Sequence, residues 1–487
     1  MAFQHAYDLQ ERGQYRESVA SYRQVLAKRP GHAGGHNNLG LALMALGELD
    51  EAIASFRQAA ALQPNYAEAH NNMGVAYKRM AKAQEALDCY AAALKCKPDY
   101  AQALLNVGTI YYDLKEYDEA LVWYQAALEV DPGQIEVHMN IASIFEAQGR
   151  FEDVKKHREV VYGRKAVYID RAAEPRLTAL VLWGAGLGNI PIHYLLPQKT
   201  ITRIGCIIEY AQPRELENLP GYDLVFNAIG DPDVMDGVEE PMARFLRTCD
   251  KPLINRPEAV ARTARHLIPD LLGKLDNVVV PRTSRVETAR LHDTLRAIQD
   301  GHFPILLRPI NSHGGDHLVK LESKADIAGL VPWRAPYYYL TDYADYASAD
   351  GGFRKYGVIF IDRQPHAYHM AISSNWVVHH NTAGMQHEEW KRREEEAFLA
   401  DPRQAIGAKA MAAIEAIGRA LDLDYGGVDF SILPDGRVLV FEANATMLTH
   451  PEEESGLYHY KNPYVRRIFD AFDAMLARRM AEVHATA

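Results

Sequence analysis

Cysteine is scarce in this sequence, and long apolar runs are absent. The 487 residues include four scattered cysteines, of which Cys89 and Cys96 are the nearest pair, and no second pair stands at zinc-binding spacing. We therefore predict buried free thiols. No apolar stretch reaches the roughly 18 residues that a membrane-spanning helix needs. The polar start also lacks the charged and apolar segments of a signal peptide. These absences predict a cytoplasmic protein that does not enter a membrane.

Basic residues are also fewer than acidic residues. The chain has 53 lysine and arginine residues against 64 aspartate and glutamate residues, which gives a formal net charge of −11. A surface of this sign argues against general nucleic-acid binding. The hydrophobic fraction of 48% and the charged fraction of 24% are those of a globular protein. Because this length exceeds one ordinary core, we predict two to four domains.

A repeat of 34 residues fills the N-terminal third of the chain. Five positions recur in register three times: Gly40, Gly74 and Gly108; Ala52, Ala86 and Ala120; Phe56, Tyr90 and Tyr124; Ala59, Ala93 and Ala127; Pro64, Pro98 and Pro132. Small residues at fixed positions let paired helices approach closely, and proline ends the second helix. We expect the aromatic side chain to fill the gap between neighbouring hairpins.

This pattern resembles the tetratricopeptide repeat. The resemblance implies an all-α solenoid over residues 1–165 whose concave face binds a peptide or protein. Self-association, giving a homo-oligomer, or packing on the rest of the chain is the alternative. Asparagines beside the repeat glycines are candidates either for contacts with a peptide backbone or for solvated surface: Asn37, Asn38, Asn71, Asn72 and Asn106.

From Leu177 the pattern changes to short apolar strands separated by helical segments, which predicts a small parallel sheet. The strand "LTALVLW" leads into a turn that contains Gly184, Gly186 and Gly188. Glu209 lies near where an acid that binds ribose would fall in a dinucleotide site. Because the spacing is GxGxG and not GxGxxG, a nicotinamide site is only an alternative interpretation.

Four blocks follow in order along the chain. The first is "NRPEAVARTAR" with "VVVPRT", and the second, "FPILLRPINSHGG", predicts a strand and a glycine-bearing turn that can close over phosphate oxygens. The third is "YYLTDYADY" with "FRKYGV", an aromatic strand and the start of a β-hairpin. The fourth, "GGVDFSILPDGRVLVFEANATM", places two carboxylates and an amide in apolar strands, which tolerate carboxylates poorly unless something pairs with them.

The order of these blocks resembles the ATP-grasp superfamily over about residues 177–477. The resemblance implies an α/β (α+β) ATP-grasp fold with a small Rossmann-like pre-ATP-grasp domain. The predicted boundaries are 177–265 for that domain and 266–480 for the ATP-grasp domain, of which about 285–340 cover the phosphates. The implied activity is an ATP-dependent ligase that joins a carboxylate to an amine, or to a similar nucleophile, through an acyl-phosphate.

The resemblance assigns a magnesium site to the fourth block. Asp429, Glu442 and Asn444 match the acid, acid and asparagine that hold Mg²⁺ against the phosphates of ATP in the family. The chemistry of the residues agrees, because Mg²⁺ is a hard cation that takes oxygen ligands. Residues two apart on a strand face the same side, so Glu442 and Asn444 can share an ion.

The resemblance also assigns residues for nucleotide, catalysis and substrate. The predicted ATP-binding residues are Arg308, which stands where many members have lysine, and Ser312, His313, Gly314, Gly315, Asp342 and Tyr343. Arg354 and Arg265 are the predicted catalytic residues. Arg354 would stabilise charge on the transferred phosphoryl group, and a solvated pair with Lys355 is its alternative. His380 and Asn381 are the predicted contacts to the acceptor substrate.

The main hypothesis is therefore a carboxylate–amine ligase that uses ATP and Mg²⁺ and whose repeats recruit a peptide or protein. The alternative is a non-catalytic adaptor that binds nucleotide only as a scaffold or sensor. The charge run "EEWKRREEEAF" is expected to be the solvated face of a helix. Neither the acid nor the nucleophile is identified by the sequence.

Overall fold

A computed structural model describes residues 2–234, 237–310, 312, 315, 317–330, 335–380 and 382–486. The chain separates into a helical unit, residues 1–161, and an α/β unit, residues 162–487. In the part of the chain that is described, no helix is long and apolar enough to span a membrane. The prediction of a helical array followed by a mixed α/β region is confirmed at this level of detail, and the α/β region contains several sheets.

Short turns connect successive helices of the helical unit. These helices are α1 Ala2–Glu11, α2 Tyr15–Lys28, α3 Ala33–Ala45, α4 Leu49–Leu62, α5 Ala67–Arg79, α6 Ala83–Cys96, α7 Ala101–Asp113, α8 Tyr117–Val130, α9 Ile135–Ala147 and α10 Phe151–Tyr162. Each helix from α1 to α8 contacts the next, and α3, α5 and α7 also contact the helix two places on. The 34-residue repeat thus corresponds to one helical hairpin.

The repeat glycines are explained by the aromatic residue of the same hairpin. A Cβ atom built on Gly40 would lie 2.6 Å from a ring carbon of Phe56, and one on Gly74 would lie 2.5 Å from the ring of Tyr90. Both rings are fully buried. The aromatic ring therefore packs against the glycine of its own hairpin, and it also reaches the next hairpin as expected, since Phe56 lies in one buried cluster with Ala76 of α5.

The asparagines beside these glycines connect neighbouring hairpins. Asn72 donates from Nδ2 to Oδ1 of Asn37 at 3.0 Å, and Asn106 donates to Oδ1 of Asn71 at 2.9 Å. Asn37 and Asn71 are 5% and 4% exposed. The two predicted roles, peptide contact or solvated surface, were therefore wrong for these two residues, because buried amides need internal partners.

The described residues of the α/β unit form three sheets. Its strands are β1 Val167–Asp170, β2 Leu177–Trp183, β3 Ile201–Ile207, β4 Leu224–Asn227, β5 Leu253–Ile254, β6 Val278–Val279, β7 Thr283–Glu287, β8 Ile305–Pro309, β9 Val319–Leu321, β10 Tyr337–Asp342, β11 Phe353–Ile361, β12 Gln364–Ser373, β13 Tyr425–Ile432 and β14 Val438–Asn444. Its helices are α11 Pro213–Glu217, α12 Glu239–Leu246, α13 Pro257–Ala261, α14 Ile268–Leu272, α15 Leu291–Ala297, α16 Glu389–Ala400, α17 Pro402–Ile406, α18 Ala408–Leu421 and α19 Asn462–Thr486.

The first sheet has the order β1-β3-β2-β4-β5, and its β2–β5 strands are parallel, as the alternating strand and helix pattern predicted. The second sheet, β7-β10-β8-β9, is antiparallel. The third sheet, β12-β11-β13-β14-β6, is antiparallel except where β14 meets β6. Helices α16, α18 and α19 contact strands of the third sheet, so this sheet is covered on the side away from the site described below.

Asn255 joins the first sheet to the third. The residue is fully buried at positive φ, a conformation that asparagine tolerates better than most residues. Its Oδ1 accepts from the backbone N–H groups of Asp424 and Tyr425, and its Nδ2 donates to the Tyr425 carbonyl. The Asp424 carboxylate in turn accepts from the N–H of Asn255. This reciprocal set fixes the start of β13, the strand that carries Asp429.

Candidate functional site

A cavity of about 640 Å³ lies between the second and third sheets of the α/β unit. Its volume is that of an ordinary ligand pocket. The predicted site residues that line this cleft are Arg265, Arg308, Gly315, Asp342, Tyr343, His380, Asp429, Glu442 and Asn444. His313, Gly314 and Asn381 lie outside the described residues. The fold thus brings together side chains from distant parts of the chain, since Arg265 and Asn444 border the same space.

The floor of the cleft is the hairpin of β13 and β14. Asp429 pairs directly with Glu442, and Asn444 donates from Nδ2 to Oε1 of Glu442 at 2.6 Å. The register shifts immediately after this pair, because Phe430 pairs with Val440 and leaves one extra residue on β14. Such a bulge redirects side chains locally. The three oxygen-bearing residues therefore converge on one part of the cleft.

Cationic side chains contact both carboxylates. Lys355 Nζ lies 2.5 Å from Oδ2 of Asp429, and the Arg265 guanidinium is ion-paired with Glu442. The other oxygen, Oδ1 of Asp429, is buried without a hydrogen-bond partner among the described residues, with His369 Nε2 at 3.7 Å. Burial raises the pKa of Asp429 even though Lys355 opposes the change. A buried carboxylate oxygen without a donor is an unsatisfied site for a cation.

The chemistry of the floor suits a hard cation better than a soft one. Among the described residues, no three histidine, cysteine, aspartate or glutamate side chains are grouped as a metal site. The candidate set is instead two carboxylates and an amide. Oxygen ligands with room for water and phosphate oxygens are what Mg²⁺ prefers. The residues present therefore fit Mg²⁺, and Asp429 Oδ1 is the atom that such an ion would satisfy.

The opposite wall carries the residues predicted to contact phosphate. Arg308 donates from Nε to Oγ of Ser312 at 3.2 Å, and its guanidinium also bonds the Ser312 carbonyl. Burial and the neighbouring Arg265 lower the pKa of Arg308 to about 10. Gly315, at a φ of 86°, adopts a backbone conformation that favours glycine, and it lies beside Val377. Arg308 is thus a preoriented cation facing the cleft.

Asp342 and Tyr343 lie at the end of β10, on the rim of the cleft. Their backbone N–H groups bond the carbonyls of Arg282 and Pro304 at 3.0 and 3.3 Å, so both are engaged within the protein. Lys320 sits 3.8 Å above the centroid of the Tyr343 ring. A ligand at this rim would therefore meet side chains and carbonyl oxygens in preference to these two N–H groups.

Arg354, a predicted catalytic residue, does not line the cleft. Its guanidinium bonds Glu394 at 2.6 Å and Asp350 at 2.8 Å. Neighbouring residues of a strand face opposite sides, so the adjacent Lys355 points into the cleft. Both predictions for this pair were wrong, since Arg354 is held by two carboxylates away from the cleft and Lys355 contacts Asp429.

Gly357 explains how His369 reaches the floor. The two residues are paired across β11 and β12, and a Cβ atom on Gly357 would lie 2.2 Å from the His369 ring. Only glycine leaves space for the imidazole there. Burial, helped by Lys355 and Lys461, holds the pKa of His369 well below its ordinary value. His369 is therefore neutral beside Asp429, a placement that the sequence did not indicate.

The far end of the cleft contains a buried ionic cluster around Glu395. This carboxylate is fully buried and accepts from the Tyr460 hydroxyl at 2.5 Å and the Met370 N–H at 3.1 Å. Lys461 Nζ and His380 Nε2 lie 3.7 and 3.8 Å from its oxygens. Burial acts to raise the pKa of Glu395, but these partners lower it to about 2.

The charge run on α16 is a solvated face only in part, because Glu389, Arg393 and Glu396 are exposed but two of its charged residues are buried. Glu395 is 0% exposed and Lys391 is 7% exposed. Both charged groups have partners inside the protein. Those of Glu395 are described above, and Lys391 donates to the Ala383 carbonyl at 2.9 Å. The helix therefore positions His380 at the cleft through Glu395. In the sequence, no local signal distinguishes the buried Glu395 and Lys391 from the exposed charged residues of the same run.

The glycine turn after β2 lacks the features of a dinucleotide site. The described residues between β2 and β3, 184–200, form no helix whose N-terminus could meet a pyrophosphate. Glu209 accepts from the Ala185 N–H at 2.7 Å, and Asn189 bridges the turn by bonds to Gly184 and Gly186. The acid therefore stabilises the turn, which removes the support for a nicotinamide site.

Comparison with known families identifies the repeats. The family described as TPR repeat matches residues 41–80 and 108–149, and the family described as Tetratricopeptide repeat matches residues 67–100. The N-terminal array is therefore a tetratricopeptide array. Such repeats typically bind protein or peptide partners, so the helical unit is a protein-interaction unit. No curated protein matches the chain.

Several solved structures resemble about a third of the chain. MamA is 24% identical, with 32% of this chain and 91% of that chain covered and a TM-score of 0.30. PilF of Pseudomonas aeruginosa is 18% identical, with 33% and 73% covered and a TM-score of 0.31. A thermophilic TPR protein of Thermus thermophilus is 19% identical, with 34% and 90% covered and a TM-score of 0.30.

Proposed function

We propose that the α/β unit is an ATP-dependent ligase of the ATP-grasp type that joins a carboxylate to an amine or a similar nucleophile, and that the tetratricopeptide array recruits a peptide or protein substrate. One observation carries the proposal. Asp429, Glu442 and Asn444 converge in a cleft of about 640 Å³, where no described residue forms a hydrogen bond with the buried Oδ1 of Asp429. An acidic floor facing Arg308 and Arg265 suits a metal-bound, phosphate-bearing ligand.

Each group in the cleft has a role that its position supports. Asp429, Glu442 and Asn444 would hold Mg²⁺, which when bound with ATP neutralises phosphate charge. Arg308 supplies fixed positive charge on the other side and Arg265 supplies it beside Glu442, and a planar guanidinium grips phosphate oxygens. Lys355 takes the catalytic place first given to Arg354, because its ammonium already faces the cleft. It stabilises negative charge that develops on a transferred group.

The first experiment measures nucleotide and metal binding by the full-length protein. Asp429→Asn and Glu442→Gln should each weaken Mg²⁺-dependent ATP binding at least about tenfold, since each removes one anionic metal ligand. Asp435→Asn is the matched control, because Asp435 sits in the turn of the same hairpin and bonds only to Arg437 among the contacts described. Unchanged ATP binding in both cleft variants would show that the assignment is wrong.

Turnover is tested by phosphate release with pooled amino acids and peptides as acids and nucleophiles. The ligase proposal expects release that depends on ATP, on Mg²⁺ and on at least one pool. Lys355→Met should abolish release while leaving ATP binding within a few-fold of the parent. Lys409→Met, on α18 and exposed, controls for loss of a surface charge.

A nucleotide-binding adaptor is the second candidate. It is favoured by the ion pairs of Lys355 with Asp429 and of Arg265 with Glu442, because they already neutralise both acids without a metal. An adaptor would bind ATP without phosphate release under every substrate pool. It would also bind a protein partner through the array with an affinity that changes when ATP is added.

A further inference from the structure

A second cavity of about 580 Å³ opens beside β7, separate in chemistry from the cleft. Its wall includes Arg285 and Arg290, with His266 from the segment between α13 and α14. Thr283 lines both this basic pocket and the cleft, so the two spaces adjoin. The proposed function assigns no role to this basic pocket.

In the part of the chain that the structure describes, two buried polar atoms in the basic pocket have no hydrogen-bond partner. They are Nε of Arg285 and Nδ1 of His266. The other charges nearby are already engaged: Arg290 Nε lies 3.9 Å from Glu287 Oε2, and Asp233 accepts from the Tyr339 hydroxyl at 2.6 Å. Within the described residues, Arg285 forms no ion pair. A buried N–H of a guanidinium without an acceptor is costly, and its natural complement is an anion.

The guanidinium of Arg285 is held in a fixed orientation. It lies over the ring of Tyr337 with 4.1 Å between Cζ and the ring centroid. His266 lies nearly parallel to the Tyr339 ring, at 6.1 Å between centroids and 23° between planes. Stacking leaves the edges of both groups available for hydrogen bonds. The edge formed by Nε and one Nη of a guanidinium can pair with both oxygens of a carboxylate, and the tautomer of His266 with its proton on Nδ1 adds a donor.

Strand register places the basic pocket next to the phosphate side of the cleft. Tyr339 of β10 pairs with Arg285 on one side and with Arg308 on the other. The three side chains therefore stand in one row across the second sheet. Neighbouring strands are about 4.8 Å apart, so the backbones at Arg285 and Arg308 are separated by roughly 10 Å. A molecule of the size of an amino acid or dipeptide spans that distance.

We propose that the basic pocket binds a carboxylate that does not react, and that the acid substrate is therefore a di-acid, an acidic amino acid or a short acidic peptide. Arg285 anchors this carboxylate and His266 donates to it, which leaves the second carboxylate to reach the metal end of the cleft. This assignment of substrate class rests on the proposed function, while the carboxylate site itself rests on Arg285 and His266 alone.

Calorimetric titration of the full-length protein with glutarate, a simple dicarboxylate, tests the site. We expect saturable binding that Arg285→Gln weakens at least about tenfold and that Arg290→Gln, the matched control for a paired arginine in the same pocket, changes less than about twofold. Arg285→Lys keeps the charge but loses the two-nitrogen edge, so it should also weaken binding at least about threefold. Far-ultraviolet circular dichroism confirms that each variant is folded.

Three results would overturn the inference: no saturable glutarate binding, binding that survives Arg285→Gln in a folded protein, or inorganic phosphate binding more tightly than glutarate. The last result would assign the pocket to phosphate. Asp429→Asn separates the two proposals, since it should weaken Mg²⁺-dependent ATP binding at least about tenfold and leave glutarate binding unchanged. A parent protein that binds glutarate through Arg285 but never binds ATP would refute the ligase proposal and leave the carboxylate site in place.

Discussion

The close contact between Gly40 and Phe56 predicts how a substitution at Gly40 changes the stability of the repeat array. Replacing helical glycine by alanine normally stabilises a helix by about 1 kcal/mol. At Gly40, however, the new Cβ would lie 2.6, 2.8 and 2.9 Å from three carbons of the Phe56 ring, which is fully buried and has little room to move. Overpacking of this kind costs about 1–3 kcal/mol. We expect Gly40→Ala to lower the free energy of unfolding by about 1 kcal/mol.

Gly34, in the same helix α3, is the matched control. A Cβ atom there would lie 3.6 Å from the nearest atom, an ordinary contact, so Gly34→Ala keeps only the gain in helix propensity. The two variants should therefore differ by about 2 kcal/mol, which is roughly thirtyfold in equilibrium constant. Hydrogen-exchange mass spectrometry of peptides from α3 and α4 measures this difference as a change in protection.

Two outcomes would refute this account of the repeat. Equal protection in the Gly40→Ala and Gly34→Ala variants would show that the ring does not restrict residue 40. Failure of Phe56→Leu to relieve the effect of Gly40→Ala in the double variant would show that the restriction comes from elsewhere, since a smaller side chain should reduce the clash and give a positive coupling energy.

Two further predictions concern buried polar groups. Asn71→Ala should destabilise the array by about 1–2 kcal/mol, because it removes the acceptor of the Asn106 amide and leaves this half-buried donor unpaired; unchanged exchange protection in α5 and α7 would contradict this. The pKa of Glu395 falls from an ordinary value of 4.5 to about 2 in the folded protein. Its ionised form should therefore contribute about 3 kcal/mol to the free energy of unfolding. This contribution is fully present above about pH 4.5 and is lost as the pH falls towards 2. In denaturant titrations at several pH values, Glu395→Gln should remove this part of the pH dependence of the free energy of unfolding. The same pH dependence in the variant and the parent would show that His380 and Lys461 do not stabilise the carboxylate.

Local periodicity made part of this architecture predictable. A 34-residue recurrence of glycine, alanine, aromatic and proline is visible along the chain because each hairpin repeats the same short-range contacts. The strands around Asp429 and Glu442 were predictable for a similar reason, since a turn at Pro434–Gly436 between two apolar runs gives a hairpin. Their convergence with Asn444 follows from strand alternation and needs no distant partner.

Long-range packing decided the rest. Whether Arg354 or its neighbour Lys355 faces the cleft depends on which side of β11 the second sheet approaches, and a sequence does not show that side. Glu395 is buried only because Tyr460 and Lys461, which are distant in the sequence, close over it. The ATP-grasp assignment and the roles of the site residues stay predictions, because resemblance and proximity do not measure binding.

The sequence by itself determined three features: the tetratricopeptide register, the succession of strands along the chain, and the spacing of the oxygen-bearing residues on the final hairpin. Those features depend on residues that are close in the chain, where backbone geometry fixes which side chains share a face. Only the tertiary structure decided that Glu209 stabilises a turn, that Lys355 pairs with Asp429 and that Nε of Arg285 lies buried and unbonded beside His266. The physical reason is that burial and partnership of a charged group depend on elements brought together from distant parts of the chain.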